Sequence, residues 1–295
     1  MQEKKVAQYS PTQFVSYKDI FQLAAESSQL IADCYNYPMR EFPTLDAHAH
    51  LDPKRTSQEL SDAGAVLAMT LSLAEAETVL PRKEALIAWG VGCHPRKVAA
   101  QQAFDPDRFA RLAEQAAIIG EIGLDVAYQV PLELQLKTFR CALSFAAHNP
   151  RLVSIHSFGN SKASSMSSAS LVLQELRRTP VIAPILHWWT GTAAETRQAV
   201  ELGCYFSVHS AVARRSIFRT QVPRQRLLVE SDHGWADPPG AIPHRVIWVE
   251  YLLSASLGMD VHAVRQLVWR NFTTVVSLTN TRDLLPPGMA GMLGL

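Results

Sequence analysis

Two histidines, His48 and His50, stand at the end of a strand-like run in the stretch Phe42–Asp52, FPTLDAHAHLD. Side chains two apart on extended backbone project to the same side, so both imidazoles can reach one point in space. Imidazole is a natural ligand for a borderline divalent metal, although two histidines at a strand end also fit an ordinary surface pair. The later residues shift the balance. His94, Glu121, His156, His187, His209 and Asp232 each stand at or just after another strand-like run. Glu121 is the hardest to assign to solvent. It is flanked by Ile118, Ile119, Ile122 and Leu124, and a carboxylate in that setting must be paired or metal-bound. His48, His50, Glu121, His156, His187 and Asp232 together are more ligands than one tetrahedral zinc takes. Two cations bridged by one carboxylate would use them all. Such a pair suits phosphoester hydrolysis, where charge on the phosphoryl oxygens needs stabilising. It equally suits amide or lactone hydrolysis, so the ligands alone do not name the substrate.

The runs that must position these groups alternate with helical patterns from Phe42 onward. Strands are expected at Leu45–Asp46, Ala65–Leu71, Leu86–Val91, Ala117–Ile122, Leu152–Ile155, Val181–Leu186, Cys204–Val208 and Leu227–Val229. Helices are expected at Ala74–Ala85, Asp107–Gln115, from Pro131 to about Ala147, Ser164–Arg178, Thr192–Leu202, from Arg245 to about Ser256, and from Val261 to about Leu278. Eight strands separated by helices in one α/β domain predict a closed (β/α)8 TIM barrel, whose sites sit at the C-terminal ends of the strands. A doubly wound sheet would favour a glycine-rich phosphate loop after an early strand, and the chain has neither GxGxxG nor GxxxxGK[ST]. The reading divides the chain into an N-terminal extension (1–41), helical and suited to capping the barrel or docking a protein partner, a barrel domain (42–280), and an apolar tail (281–295).

A formal net charge of +1 leaves no bulk attraction for polyanions, so any nucleic-acid contact must be local. Cys34, Cys93, Cys141 and Cys204 are widely spaced in apolar or mixed runs and read as reduced core residues. The opening MQEKKVAQYSPTQF lacks the apolar core of a signal peptide, and no run approaches a bilayer span, so a cytoplasmic protein with no membrane contact is expected.

The ordered stretches LDAHAHLD (Leu45–Asp52), GCHP (Gly92–Pro95), GEIGLD (Gly120–Asp125), IHSF (Ile155–Phe158), HWWTG (His187–Gly191) and VESD (Val229–Asp232) resemble the TatD-related metal-dependent deoxyribonucleases, a branch of the amidohydrolase-like barrels. NFTTVVSL (Asn271–Leu278) is similar to the family's closing segment. The resemblance implies a metallo-dependent hydrolase that cleaves DNA phosphodiester bonds with two divalent ions, Mg²⁺, Mn²⁺ or Zn²⁺. It implies that His48 and His50 hold the first ion with Asp232, that Glu121 bridges, and that His156 and His187 hold the second. Asp232 would orient or deprotonate the attacking water, and His94 would sit beside the substrate's phosphate. Catalytic roles therefore fall to Asp232, Glu121 and His94. Specialised relatives occur in anti-phage operons, so a defence role is a further expectation.

The departures bear on substrate. The family's arginine two residues after the strand-five histidine is Phe158 here, which removes or moves a bidentate phosphate contact. Its absence motivates the competing reading of an amide, ester or lactone hydrolase. HWWTG replaces HCFSG, so Trp188 and Trp189 form either a stacking platform for a base or part of the loop packing. His233 and Trp235 are placed to line the pocket mouth. Arg96–Lys97 and Arg214–Arg215 are the local cations that would meet a backbone. A barrel mouth admits single strands or ends more readily than intact duplex, so end-processing or exonuclease activity is expected. A third reading, a non-enzymatic subunit docked through residues 1–41, rests on the extension.

Overall fold

The computed structural model describes residues 42–160, 167–235 and 246–293; the expected extension 1–41 lies outside them, as do residues 161–166, where the expected helix Ser164–Arg178 begins, and 236–245. Eight parallel strands run in chain order around one sheet: β1 (Leu45–Ala49), β2 (Ala65–Ala68), β3 (Ile87–Val91), β4 (Ile118–Gly123), β5 (Leu152–His156), β6 (Ile185–His187), β7 (Tyr205–Val208) and β8 (Leu227–Val229). Every residue of these strands is buried. That explains near-continuous apolar runs in place of the alternation of a half-exposed sheet. The ring closes just beyond β8, where the His50 amide donates to the His233 carbonyl (2.6 Å) and the Asp232 amide donates to the His48 carbonyl (3.0 Å).

Helices cover the outside of the sheet. They are α1 (Leu73–Val79), α2 (Val98–Gln102), α3 (Pro106–Ala113), α4 (Leu132–His148), α5 (Ser168–Arg178), α6 (Ala193–Glu201), α7 (Ile217–Thr220), α8 (Val246–Leu257), α9 (Val261–Thr279) and α10 (Pro287–Met292). Their starts follow local chemistry. Asp105 caps α3 with Pro106 at its first position, Thr192 and Glu195 form a capping box on α6, and Asp260 caps α9. Helix α9 stops at Asn280, whose φ of 52° is the left-handed C-terminal conformation.

Three elements are shorter than the sequence suggests. Helix α1 ends before Pro81, which cannot continue the hydrogen-bond ladder, and not at Ala85. Strand β6 begins at Ile185 and not at Val181, because Ala183 has a φ of 48° and Pro184 has no amide proton to give the ladder. Strand β2 ends at Ala68, before Met69–Leu71 turns toward α1. The last helix, α10, buries Met289 and Leu293, and the Met289 amide reaches the Ala85 carbonyl (3.3 Å), at the entry to β3. Inside the fold, Arg265 of α9 and Glu250 of α8 form a buried ion pair (2.5 Å) that joins these two helices behind β8.

Two irregularities in the ladder fall where chemistry is expected. Register shifts between Asp46 and Ala49 in β1, and between Ile119 and Ile122 in β4. His48 lies in the first interval and Glu121 in the second. Such bulges re-aim a side chain without breaking the sheet.

Candidate metal centre

At the C-terminal ends of the strands, the two oxygens of Glu121 face different histidines. Oε2 lies 2.9 Å from His50 Nε2 and 3.3 Å from His48 Nε2. Oε1 lies 2.6 Å from His156 Nδ1 and 2.9 Å from His187 Nε2. Asp232 Oδ1 completes the first group, 3.7 Å from both His48 Nε2 and His50 Nε2. Within the groups the ring nitrogens are close, 3.4 Å between His48 and His50 and 3.2 Å between His156 and His187. The His48 and His187 rings stack at 3.9 Å and tie the two groups together. All six side chains are buried.

The far nitrogen of each imidazole explains why the near one points inward. His50 Nδ1 donates to the Met69 carbonyl (3.3 Å), and His48 Nδ1 bonds Ser154 Oγ (2.8 Å). His156 Nε2 meets Asp125 Oδ2 (3.1 Å), and His187 Nδ1 faces Glu230 Oε1 (3.5 Å). Partners of this kind fix the tautomer that leaves the near nitrogen as a lone pair, as around metal-bound histidines. A lone pair and a carboxylate oxygen at 2.9 Å repel unless a proton or a cation lies between them. Asp232 Oδ1 is buried and has no hydrogen-bond partner among the described residues, which is costly for a carboxylate unless something positive sits against it. The donor set therefore fits divalent cations. His48–Glu121–His187 and His48–His50–Asp232 each bring three ligand atoms within 4.8 Å of one another.

His94 joins the cluster differently. Its Nδ1 accepts the Arg96 amide (3.0 Å), so in the neutral ring the proton is on Nε2, which points at Glu121 Oε2 (3.3 Å). Although His94, His50 and Glu121 also come within 4.8 Å, that tautomer makes His94 a hydrogen-bond donor and not a ligand.

The electrostatics follow from this crowding. Burial opposes a charge on Glu121, yet His94, His187 and His156 hold its carboxyl well below the usual carboxylate range. Burial opposes protonation of His187, and Glu121 and Glu230 override it, raising the imidazole well above its ordinary range. Burial, followed by the neighbouring His187, depresses His48 well below that range, and burial does the same to His94. Asp232 is pushed up to about 7 by burial, against the pull of His187 and His50.

Backbone geometry makes these approaches possible. At Gly123 (φ 140°) an added Cβ would sit 2.1 Å from the His156 carbonyl, so the contact that sets Glu121 beside His156 requires glycine. At Gly234 (φ 87°) a Cβ would lie 1.9 Å from the His50 carbonyl. Asp232 itself has a φ of 48°, a left-handed conformation that aspartate tolerates better than most residues.

The expected substrate-binding residues fare unevenly. Trp189 is no stacking platform. It is fully buried, its indole N–H donates to Thr196 Oγ1 (2.9 Å), and its ring meets the edge of Phe206. Trp188, at a φ of 41°, is half-buried and stacks on His209 (3.8 Å). His209 thus goes to that ring and not to the cluster. Arg215 is also spoken for, donating to the carbonyls of Trp189 and Gly191. His233 is buried, with its amide on Ser231 Oγ (3.0 Å) and its carbonyl closing the barrel. Arg96 binds Asp125 Oδ2 through Nε (2.5 Å). Asp46, Asp125, Ser154 and Glu230 were missed. Asp46 accepts from the Ser231 hydroxyl (2.5 Å) and amide, pinning β8 to β1. GEIGLD and VESD contained Asp125 and Glu230, but nothing local shows which histidine each supports.

A closed parallel barrel with a carboxylate-bridged histidine cluster at its strand ends defines a metal-dependent hydrolase fold of the amidohydrolase-like type. The chain belongs to the TatD related DNase family, whose family model matches residues 45–277. A curated relative, the 3′-5′ ssDNA/RNA exonuclease TatD of Citrobacter koseri, is 27% identical over 162 residues, covering 52% of this chain and 60% of that protein. The solved TatD homologue YjjV of Escherichia coli K12 superposes with a TM-score of 0.64 at 18% identity, covering 80% of this chain and 98% of that one. A TatD family hydrolase of Entamoeba histolytica gives 0.63 at 16% identity, covering 79% and 98%. At these identities the two structures establish the fold.

Proposed function

We propose that this protein is a divalent-metal-dependent nuclease that hydrolyses DNA phosphodiester bonds in single strands or at ends, with two cations sharing Glu121. The observation that carries the reading is the division of labour at that carboxylate. Oε2 serves His48 and His50, with Asp232 beside them, and Oε1 serves His156 and His187. When bound, the cations would supply a water of lowered pKa and positive charge against the phosphoryl oxygens. Mixed imidazole and carboxylate ligands accept transition metals more readily than an all-oxygen site does, so Mn²⁺ and Zn²⁺ stand beside Mg²⁺ as candidates.

Asp232 is the base of this reading. Its Oδ1 has no hydrogen-bond partner among the described residues and lies 3.7 Å from the Nε2 atoms of His48 and His50, which places it to orient or deprotonate the attacking water. As the water oxygen bonds to phosphorus, its proton passes to Asp232 and the opposite P–O ester bond breaks. His94, whose Nε2–H points at Glu121 Oε2 (3.3 Å), orients that carboxylate in this reading. The relative from C. koseri, described as acting on single-stranded DNA and RNA from the 3′ end, supports single strands and ends as substrate. The competing acyl-hydrolase reading loses weight because the Arg96 guanidinium lies 5.4 Å from the Phe158 ring. A cation therefore stands beside the position from which the family arginine is missing. Cytoplasmic action and a protein partner at residues 1–41 complete the reading; among the described residues no helix is long and apolar enough to cross a membrane.

The test is incubation of purified protein with labelled single-stranded DNA and Mg²⁺, Mn²⁺ or Zn²⁺. Cleavage should appear with at least one ion and fall by about 100-fold or more in Asp232→Asn, the scale of losing a positioned base. No cleavage with any ion, or equal cleavage by the variant, would sink the reading.

A further inference from the structure

Among the described residues, the two aromatic side chains most open to solvent are Tyr128 (49%) and Phe158 (37%). They are distant in sequence and meet at one place. The Arg96 guanidinium carbon lies 5.5 Å from the Tyr128 ring centre, 5.4 Å from Phe158 and 5.7 Å from Trp235. Lys97 Nζ lies 4.9 Å from the Trp235 ring. Three aromatic rings and two cations thus form one patch, and exposed aromatics clustered around cations are costly in water unless they meet a ligand.

The patch is wired to the metal centre at two points. Trp235 stacks on His94, with ring centres 4.3 Å apart and 8° between planes. Arg96 Nε is held by Asp125 Oδ2 (2.5 Å), and the same oxygen holds His156 Nε2 (3.1 Å). Fixing Nε orients the guanidinium plane. Its two Nη groups donate to no described residue, and a guanidinium fork suits a phosphate bidentately. The guanidinium sits among the three rings, and the Arg96 side chain keeps 21% of its surface exposed.

We propose that Arg96, Tyr128 and Phe158 form a subsite for one unpaired nucleotide next to the bond that is cut, Arg96 taking its phosphate and the exposed rings stacking its base. The subsite rests on the nuclease reading for its purpose and deepens it by naming the residues that would hold one base and its phosphate. It also relocates the base platform from the HWWTG motif, where Trp189 is core, to Phe158 at the end of IHSF and to Tyr128, which lies in none of the quoted motifs. Trp235 is the floor that couples the subsite to His94.

The test measures binding by the full-length protein in Mg²⁺ to fluorescein-labelled single-stranded decamers with nuclease-resistant phosphorothioate linkages. One carries thymine bases and the other is abasic. The wild type should prefer the base-bearing strand by about tenfold, the scale of one base–aromatic stack. Tyr128→Leu/Phe158→Leu, which keeps apolar bulk without a π face, should abolish the preference at an unchanged melting temperature. Phe158→Tyr should retain it. Arg96→Met should weaken both strands alike and reduce the slope of log affinity against log salt by about 0.7, the value for one phosphate contact on a single strand. Equal binding of the two strands by the wild type, a preference that survives in the leucine variant, or an unchanged salt slope in Arg96→Met overturns the subsite. Binding to uncut strands separates the two readings. A base preference with no cleavage of ordinary DNA defeats the nuclease and leaves the subsite, whereas cleavage without base preference does the reverse.

Discussion

Replacing Glu121 with glutamine should remove both cations at once, because its carboxylate faces both groups of histidines. The carboxylate contacts His48 and His50 through Oε2 and His156 and His187 through Oε1, at 2.6–3.3 Å. An amide offers one oxygen and one NH₂ group, so one of the two cations would face an NH₂ group where it needs a ligand oxygen, and the negative charge between the groups disappears. Losing a partner that merely supports a ligand weakens metal binding by about 10–100-fold. Losing the shared ligand should cost each site at least the upper end of that range. Asp232→Asn, by contrast, touches only the His48–His50 group. The assay is metal content by mass spectrometry after dialysis against a fixed free-metal buffer, with titration calorimetry for the number of sites. The wild type should hold two ions, Asp232→Asn should keep the ion at His156 and His187, and Glu121→Gln should hold none. In the metal-free protein the same change strips His187 of a counter-charge, and its imidazole should titrate lower by NMR. A Glu121→Gln protein that retains one tightly bound ion would refute the bridge, and with it the argument that the two oxygens serve separate cations.

Proton linkage gives a second prediction. His187 is held protonated well above its ordinary range and Asp232 is pushed up to about 7, so at neutral pH the metal-free site carries protons that a cation must displace. Metal loading should release protons, and apparent affinity should rise as pH increases from about 6 to 8; equal binding heats in buffers of different ionisation enthalpy would contradict this. A third concerns Trp189→Ala. With the ring fully buried against Phe206 and Gly191, stability should fall by about 3–5 kcal/mol in denaturant melts. Weakened strand binding at unchanged stability would restore Trp189 to the substrate.

The barrel was legible because the buried strands are apolar runs, and all but β2 carry at or near their ends a residue that has no business in a core. His48, His50, Glu121, His156, His187 and Asp232 declared themselves in that way, and the structure brings all six together. Neighbouring residues were harder to read. Trp188 and Trp189 are adjacent and chemically identical, and only the φ of 41° at Trp188 turns one ring to His209 and the other into the core. Asp125 was visible in GEIGLD, but its partner Arg96 lies 29 residues earlier, and Ser154 reaches His48 across 106 residues. Pairings of that kind depend on the register of whole strands, which bulges at His48 and Glu121 shift locally. Strand β6 was misjudged at its start because Val181 and Ile182 look like strand, while Pro184 denies the ladder a donor.

The seam where β1 meets the end of β8 has a consequence for the life of the chain. The backbones of Asp232 and His233 are bonded to those of His48 and His50 across it, so residues from the two ends of the barrel must meet before Asp232 can join His48, His50 and Glu121. A chain still under synthesis carries His48, His50, Glu121 and His156 long before Asp232 exists. Long-range closures of this kind come late in folding. The full ligand set therefore exists only once the barrel has closed, which ties assembly of the candidate metal centre to completion of the fold.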